Sequence, residues 1–283
     1  MERRVTGLYC LVAIAFWYWV PGGAYVASWL ADRSWYARSL AYHFYSDALL
    51  LAFLAGAVAL GRPALREVLG RALVSRDVAP VALTVLTTFC ASGALITLTM
   101  VPLSYLVPSF VTWWLDWSYP VSLYLAADGS IPVAANALLL VSLVVVTPIL
   151  EELIFRGYLL NAWVRKWGLW TGVLLSSAVF GALHSDPVPA MLTGVGFALL
   201  YLRTRSLWAP IVAHAVYNCA ATAWNVWEMA RNGWDYDVPT LEELRSEWWL
   251  GVVELLVVAV LLDQIMRRGA LGPLRLPVSR AAP

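Results

Sequence analysis

The chain has 283 residues, of which 61% are hydrophobic and 13% are charged, compared with ~25% charged residues in typical soluble domains. Its formal net charge of +1 provides no basic field for a nucleic acid. This composition excludes a disordered chain, a nucleic-acid-binding protein and an ordinary soluble enzyme. It favours a protein that spans a membrane several times, because lipid solvates the apolar side chains on the outside of a helix bundle.

Eight apolar segments follow one another along the chain, each close to the ~20 residues that a membrane-spanning helix requires. The fifth and sixth are short, which is typical of helices that neighbours shield around a cavity. We therefore predict an all-α, polytopic membrane helix bundle of about eight transmembrane helices. The segments are Leu8–Leu30, Leu40–Leu60, Val81–Val107, Ala134–Leu160, Leu169–His184, Ala190–Leu202, Trp208–Val226 and Trp249–Met266.

The basic residues are distributed unevenly between the loops that join these segments. If the N-terminus is cytoplasmic, 14 Arg and Lys side chains fall in inside segments and four fall in outside segments. This asymmetry follows the positive-inside rule and predicts that both termini are cytoplasmic. The basic residues are 18 Arg and one Lys, a bias that looks bacterial, so we predict an integral protein of the bacterial inner membrane.

Polar side chains stand inside the apolar segments of the second half of the chain. A charge at membrane depth costs at least ~2.5–3.5 kcal/mol on insertion scales, so such residues indicate a functional site. Glu152 and Arg156 are four residues apart and can pair along one helix face, whereas Glu151 is rotated by about 100° from Glu152. The residues are Glu151, Glu152, Arg156, His184, His214 and Asn218.

These residue types can together hydrolyse an amide bond without a Ser or Cys nucleophile. A carboxylate and a histidine can hold and deprotonate a water molecule. Imidazole and carboxamide N–H groups can stabilise an oxyanion. His214 and Asn218 are four residues apart and share one helix face, as do Phe180 and His184.

The three groups form motifs on successive predicted helices: Glu151-Glu152-Leu-Ile-Phe-Arg156, Phe180-Gly-Ala-Leu-His184 and His214-Ala-Val-Tyr-Asn218. In order, spacing and intervals they resemble the CPBP family, the intramembrane glutamic peptidases related to type II CAAX prenyl endopeptidases. The resemblance covers about residues 145–222. We accordingly divide the chain into N-terminal transmembrane helices (1–130), a CPBP-like catalytic membrane core (131–268) and a C-terminal tail (269–283) whose Pro, Gly and Arg content predicts mobility.

The resemblance implies a role for each motif residue. Glu151 would be the general base that activates water, and His184 would hold and polarise that water. His214 and Asn218 would bind the developing oxyanion. Two further roles are supporting ones. Glu152 and Arg156 would form an ion pair, and Phe180 would pack beside the substrate groove.

The resemblance implies metal-independent hydrolysis with no cofactor, although a Glu-His-His set can in principle ligate zinc. The expected substrate is a membrane-associated protein or peptide. A prenylated protein, a bacteriocin and a C-terminal sorting signal remain open as substrates. Two other functions remain open: a non-catalytic relative that binds a peptide, such as a bacteriocin immunity factor, and a transporter with a proton relay through Glu151 and His214.

Overall fold

The computed structural model describes residues 35–59, 65–118, 129–231, 233–234 and 238–267, and the single residues 123, 125 and 274. Within these ranges the chain forms ten helices and no strand, which confirms the predicted all-α class. The helices are α1 (Trp35–Ala59), α2 (Leu65–Leu69), α3 (Val78–Leu106), α4 (Pro108–Ser118), α5 (Val133–Trp167), α6 (Leu169–Ala182), α7 (Pro187–Thr204), α8 (Trp208–Arg231), α9 (Leu241–Ser246) and α10 (Trp248–Arg267).

Seven of the eight predicted apolar segments coincide with described helices, α1, α3, α5, α6, α7, α8 and α10. Among the described residues, three helical stretches are long and apolar enough to cross a membrane, Ser75–Leu106, Val133–Trp167 and Trp248–Ile265. These helices make the chain an integral membrane protein. The first predicted segment, Leu8–Leu30, lies outside the described residues, as does the tail from residue 269 except for residue 274.

Three helices, α2, α4 and α9, were not predicted as elements of their own. Helix α4 begins at Pro108 directly after α3, because the fixed φ of proline suits the first turn of a helix, where no backbone donor is needed. Trp113 on this helix is exposed, as expected for a side chain at a membrane interface. Trp114 is instead buried, and its indole N–H donates a hydrogen bond to the carbonyl of Ser185 at 3.4 Å.

Helices α6 and α7 form an antiparallel pair at the centre of the bundle. Gly168, with φ of 91°, makes the turn into α6 in a region of φ that glycine occupies without strain. Pro187 opens α7 at its first turn. α7 also packs against α3, and so does α10. The core of this pair includes Phe180, Phe197 and Tyr201, all almost fully buried.

Helices α6 and α7 approach each other closely at Gly181. A side-chain Cβ at this position would lie 2.8 Å from the backbone nitrogen of Met191, and it would also collide with the carbonyl of Pro187. Both neighbours are main-chain atoms and cannot rotate away. The missing side chain of Gly181 therefore sets how closely the two helices approach.

We predict that Gly181→Ala pushes α6 and α7 apart and destabilises the fold by about 1–3 kcal/mol, the usual cost of overpacking. The measurement is the thermal melting temperature of the purified protein in detergent, which should fall by several degrees. Ala182→Val, at an exposed position one residue further on, is the matched control and should melt like the wild type. Equal melting of both variants would show that the contact at Gly181 does not limit stability.

Candidate active site

Helix α5 carries the Glu-Glu doublet and departs from regular α geometry on both sides of it. Residues Ser142–Val146 and Leu153–Leu160 form π-helical turns, and the α-helical stretch Thr147–Glu152 lies between them. π-helical turns are rare and occur frequently at functional sites, because they change the direction in which side chains project. Here they lie directly before and after the segment that ends in Glu151 and Glu152.

Glu152 and Arg156 form an ion pair that is sealed inside the bundle. The Nη1 atom of Arg156 lies 2.6 Å from Oε1 of Glu152, and the two side chains are 1% and 0% exposed. Arg156 also donates to the carbonyl of Gly194 on α7 at 3.2 Å. A charge buried in this way is tolerated only when it is paired and hydrogen-bonded, because desolvation costs several kcal/mol per ion.

Three aromatic rings surround the guanidinium group of Arg156. Its central carbon lies 4.4 Å from the ring centroid of Phe180, 5.5 Å from that of Phe197 and 5.9 Å from that of Phe155. The faces of aromatic rings carry partial negative charge and attract a cation at these distances. The rings thus stabilise the buried charge and also exclude water from it.

His214 on α8 lies between the two carboxylates. Its Nδ1 atom is 3.0 Å from Oε1 of Glu152, and its Nε2 atom is 3.9 Å from Oε2 of Glu151. Because Glu152 is the ionised partner of Arg156, it acts as the acceptor, and Nδ1 of His214 carries the proton. The side chain of Glu151 is 14% exposed, whereas that of Glu152 is 0% exposed. The two adjacent glutamates therefore stand in different environments.

His184 follows α6 at the start of the turn into α7. Its Nδ1 atom lies 2.8 Å from the carbonyl oxygen of Phe180. A carbonyl can only accept, so Nδ1 carries a proton, and in the neutral form of the ring the lone pair is on Nε2. The ring of Phe180 contacts both imidazoles, at centroid distances of 4.5 Å to His184 and 5.9 Å to His214.

Asn218 lies one turn beyond His214 on α8. Its side-chain amide donates a hydrogen bond of 2.8 Å to the carbonyl of Leu143, which lies in the first π-helical turn of α5. An amide nitrogen has two N–H groups, and this contact uses one of them. The hydrogen bond fixes the position of the carboxamide relative to the helix that carries Glu151.

Sequence reasoning missed Asp47, Phe197 and Trp114 as parts of this site. Asp47 on α1 is buried and accepts hydrogen bonds from Ser142 at 2.5 Å and Thr147 at 2.9 Å, so it holds the first π-helical turn. No motif marks these three residues, because their contacts join segments that are far apart in the sequence.

Asp186 stands in the turn between α6 and α7, close enough to interact electrostatically with His184. Burial raises the pKa of the Asp186 carboxyl, and the neighbouring imidazole acts in the opposite direction. Asp186 therefore lies beside the motif residues.

Across the described ranges, no three His, Cys, Asp or Glu side chains are grouped so that they could hold a metal ion.

Comparison with known proteins gives a match to a family model and relatives that align with part of the chain. The family model described as "Type II CAAX prenyl endopeptidase Rce1-like" matches residues 133–220. A Bacillus subtilis (strain 168) protein named "Putative membrane peptidase YdiL" is 38% identical over 89 residues, which are 30% of this chain and 36% of that protein. No solved structure matches the chain significantly.

A second relative is an Escherichia coli protein named "Uncharacterized 24.3 kDa protein". It is 31% identical over 103 residues, which are 34% of this chain and 46% of that protein. The chain thus aligns with less than half the length of either relative. The family model covers the helices that carry the polar residues of the site.

We predict that Glu152→Ala lowers the yield of folded protein, because it leaves Arg156 buried without its counterion, at a cost of about 3–5 kcal/mol. The measurement is monodisperse protein recovered in detergent and its melting temperature. The exposed pair Asp263 and Arg267 has the same i, i+4 spacing and an N–O distance of 2.7 Å, with side chains 49% and 78% exposed. Asp263→Ala is therefore the matched control and should change little. Equal yields for both variants would contradict the prediction.

Proposed function

We propose, on the premise that residues 133–220 belong to the type II CAAX prenyl endopeptidase Rce1-like family, that this membrane protein is an intramembrane glutamic endopeptidase. It would hydrolyse a peptide bond of a membrane-associated protein or peptide with a water molecule activated by Glu151 and His184. His214 and Asn218 would bind the oxyanion.

The observation that carries the proposal is the difference between the two adjacent glutamates. Glu152 is fully buried, and Oε1 is shared by Arg156 and His214. Glu151 is partly exposed and has Nε2 of His214 at 3.9 Å. A structural ion pair requires only one carboxylate, so the second one has a different role. A partly exposed carboxylate beside an imidazole is suited to take a proton from water.

In the proposed reaction Glu151 removes one proton from a water molecule, and the oxygen of that water attacks the peptide carbonyl carbon. The lone pair on Nε2 of His184 accepts a hydrogen bond from the other water proton and so orients the nucleophile. When the C–N bond breaks, the proton held by Glu151 passes to the departing nitrogen. The products are a carboxylic acid, which keeps the second proton of the water, and an amine, and Glu151 returns to its ionised form.

The carbonyl oxygen becomes negatively charged in the tetrahedral intermediate and requires hydrogen-bond donors. The second N–H of the Asn218 amide is the first proposed donor, since Leu143 occupies the other one. His214 donates its Nδ1 proton to Glu152, so it can donate from Nε2 only as the imidazolium ion. The second proposed donor is therefore protonated His214, held by the negative charge of Glu152.

The natural substrate is proposed only as a class. The family is named for CAAX prenyl endopeptidases, and among the described residues we assign none to the recognition of a prenyl group. Bacteriocins and proteins with C-terminal sorting signals are therefore equal candidates with prenylated proteins. We place the protein in a bacterial inner membrane with both termini cytoplasmic, following the distribution of its basic residues.

The first test compares the protein termini in host cells that carry the wild type or Glu151→Gln at equal abundance. The substitution keeps the shape of the side chain and removes its basicity, so we expect the fold to persist and new termini to appear only with the wild type. Glu242→Gln, on an exposed face of α9, is the control and should give the wild-type termini. Mass spectrometry of the termini would also identify the substrate.

Wild-type cleavage by Glu151→Gln would show that Glu151 is not the base. Identical termini in all strains, with the deletion phenotype rescued by wild type and Glu151→Gln alike, would favour the non-catalytic peptide-binding or immunity function. Rescue by the wild type alone, with no change in termini, would favour the proton-relay transporter.

We predict that Asn218→Ala lowers kcat on the identified substrate by about 10²–10³-fold, the usual effect of losing one oxyanion donor, and changes KM little. The melting temperature should fall only modestly, because the lost contact is a single hydrogen bond at a half-buried side chain. A large loss of stability with wild-type kcat would show that Asn218 only joins α8 to α5.

A further inference from the structure

A basic cavity of about 440 Å³ lies at the end of α7 that is far from His184. Four arginines line it, together with one carboxylate: Arg71, Arg76, Arg203, Arg205 and Asp77. Asp77 makes two hydrogen bonds of 2.7 Å with Arg71, so a single negative charge stands against four positive ones. Such an excess of guanidinium groups in a cavity is suited to an anion, and the planar fork of arginine matches a phosphate group.

Backbone contacts hold two of these arginines in place. The backbone nitrogen of Arg71 donates to the carbonyl of Arg205 at 3.3 Å, and that of Leu207 donates to the carbonyl of Leu69 at 2.9 Å. Arg205 has φ of 52°, in the left-handed region that glycine or asparagine occupies more easily. An arginine therefore stands where the backbone favours glycine, and its side chain lines the cavity. Backbone outliers of this kind are typical of ligand-binding positions.

An apolar groove of about 340 Å³ adjoins the basic cavity and runs between α3, α7 and α10. Pro80 and Arg203 line both cavities and mark their junction. Leucine and isoleucine side chains dominate the rest of the groove, among them Leu199, Leu262 and Ile265. At Gly196, which also lines it, a Cβ would lie 2.5 Å from Cγ2 of Thr88, so the absence of a side chain lets α7 and α3 approach closely.

We infer that the basic cavity and the apolar groove together bind one anionic phospholipid. Its phosphate would lie among the arginines and one acyl chain along the groove, past Arg203. A soluble phosphate would occupy only the basic cavity, and an uncharged lipid would occupy only the apolar groove. Basic cavities at the ends of membrane helices are suited to anionic headgroups. Our predicted topology places Arg71, Arg76, Arg203 and Arg205 in cytoplasmic segments, on one side of the membrane.

The site is separate from the candidate active site. Arg203 is nine residues along α7 from Gly194, whose carbonyl accepts from Arg156, and this corresponds to about 14 Å of helix. A lipid bound there contacts three helices at once. It should stabilise the folded protein, because any ligand that binds only the folded state shifts unfolding by mass action.

The test uses the full-length protein, delipidated in a nonionic detergent, with palmitoyl-oleoyl-phosphatidylglycerol as the probe. Lipid retention is measured by native mass spectrometry and stabilisation by thermal melting. We expect phosphatidylglycerol to bind and to raise the melting temperature more than phosphatidylcholine does. Arg203→Gln and Arg205→Gly should each weaken its binding about fivefold. Glycine at position 205 keeps the backbone conformation, so this variant removes only the side chain.

Two further variants separate the headgroup from the acyl chain. Arg231→Gln is the charge control, since Arg231 lies against Trp227 at the other end of α8, and it should bind phosphatidylglycerol like the wild type. Leu199→Trp fills the apolar groove and should reduce phosphatidylglycerol binding. Inorganic phosphate should raise the melting temperature of this variant only weakly, as it does that of the wild type. If Arg203→Gln does not fold, Arg76→Gln, at an exposed side chain, replaces it.

Equal binding of phosphatidylglycerol and phosphatidylcholine, or an equal loss in Arg231→Gln, would overturn the inference. Inorganic phosphate that stabilises as strongly as phosphatidylglycerol, together with wild-type behaviour of Leu199→Trp, would show a site for free phosphate and would also overturn it. These measurements require no peptidase activity, so their outcome is independent of the proposed function.

Discussion

The buried ion pair between Arg156 and Glu152 is the interaction on which the rest of the site depends. A guanidinium that is 1% exposed in the middle of a helix bundle is stable only with a counterion and further hydrogen-bond acceptors. Glu152 supplies the counterion, and the Gly194 carbonyl supplies a further hydrogen-bond acceptor. Because Gly194 belongs to α7, the same cation joins α5 to α7. The aromatic rings of Phe155, Phe180 and Phe197 complete its surroundings.

This ion pair also determines the orientation of the imidazole on α8. Glu152 accepts the Nδ1 proton of His214, so the other nitrogen of the ring is directed towards Glu151. His214 thus faces two different carboxylates. Its Nδ1 faces Glu152, which Arg156 neutralises, and its Nε2 faces Glu151, which is proposed to react. A lone glutamate in this place would have to balance the arginine and act as a base at the same time. The doublet separates the two tasks.

The sequence was sufficient to predict the helix class, the approximate bounds of seven helices and the pairing of Glu152 with Arg156, because hydrophobic runs and intramembrane charges are local signals. The partner of Asn218 was not predictable, since Leu143 offers its carbonyl only through a π-helical turn of α5. Phe197 and Asp47 belong to the site through packing between distant segments. The arginine cavity likewise forms only when the turns before α3 and after α7 meet.

The most direct test of this account is the protonation state of the two site histidines. The chain has three histidines, so selective ¹⁵N labelling of histidine gives a spectrum that can be assigned by substituting His43 and His184 one at a time. We expect the Nδ1–H tautomer for His184, with Nε2 unprotonated. We also expect a proton on Nδ1 of His214, whose signals change in Glu152→Gln while those of His184 do not. A His184 ring protonated only at Nε2, or a His214 spectrum insensitive to Glu152, would contradict the account.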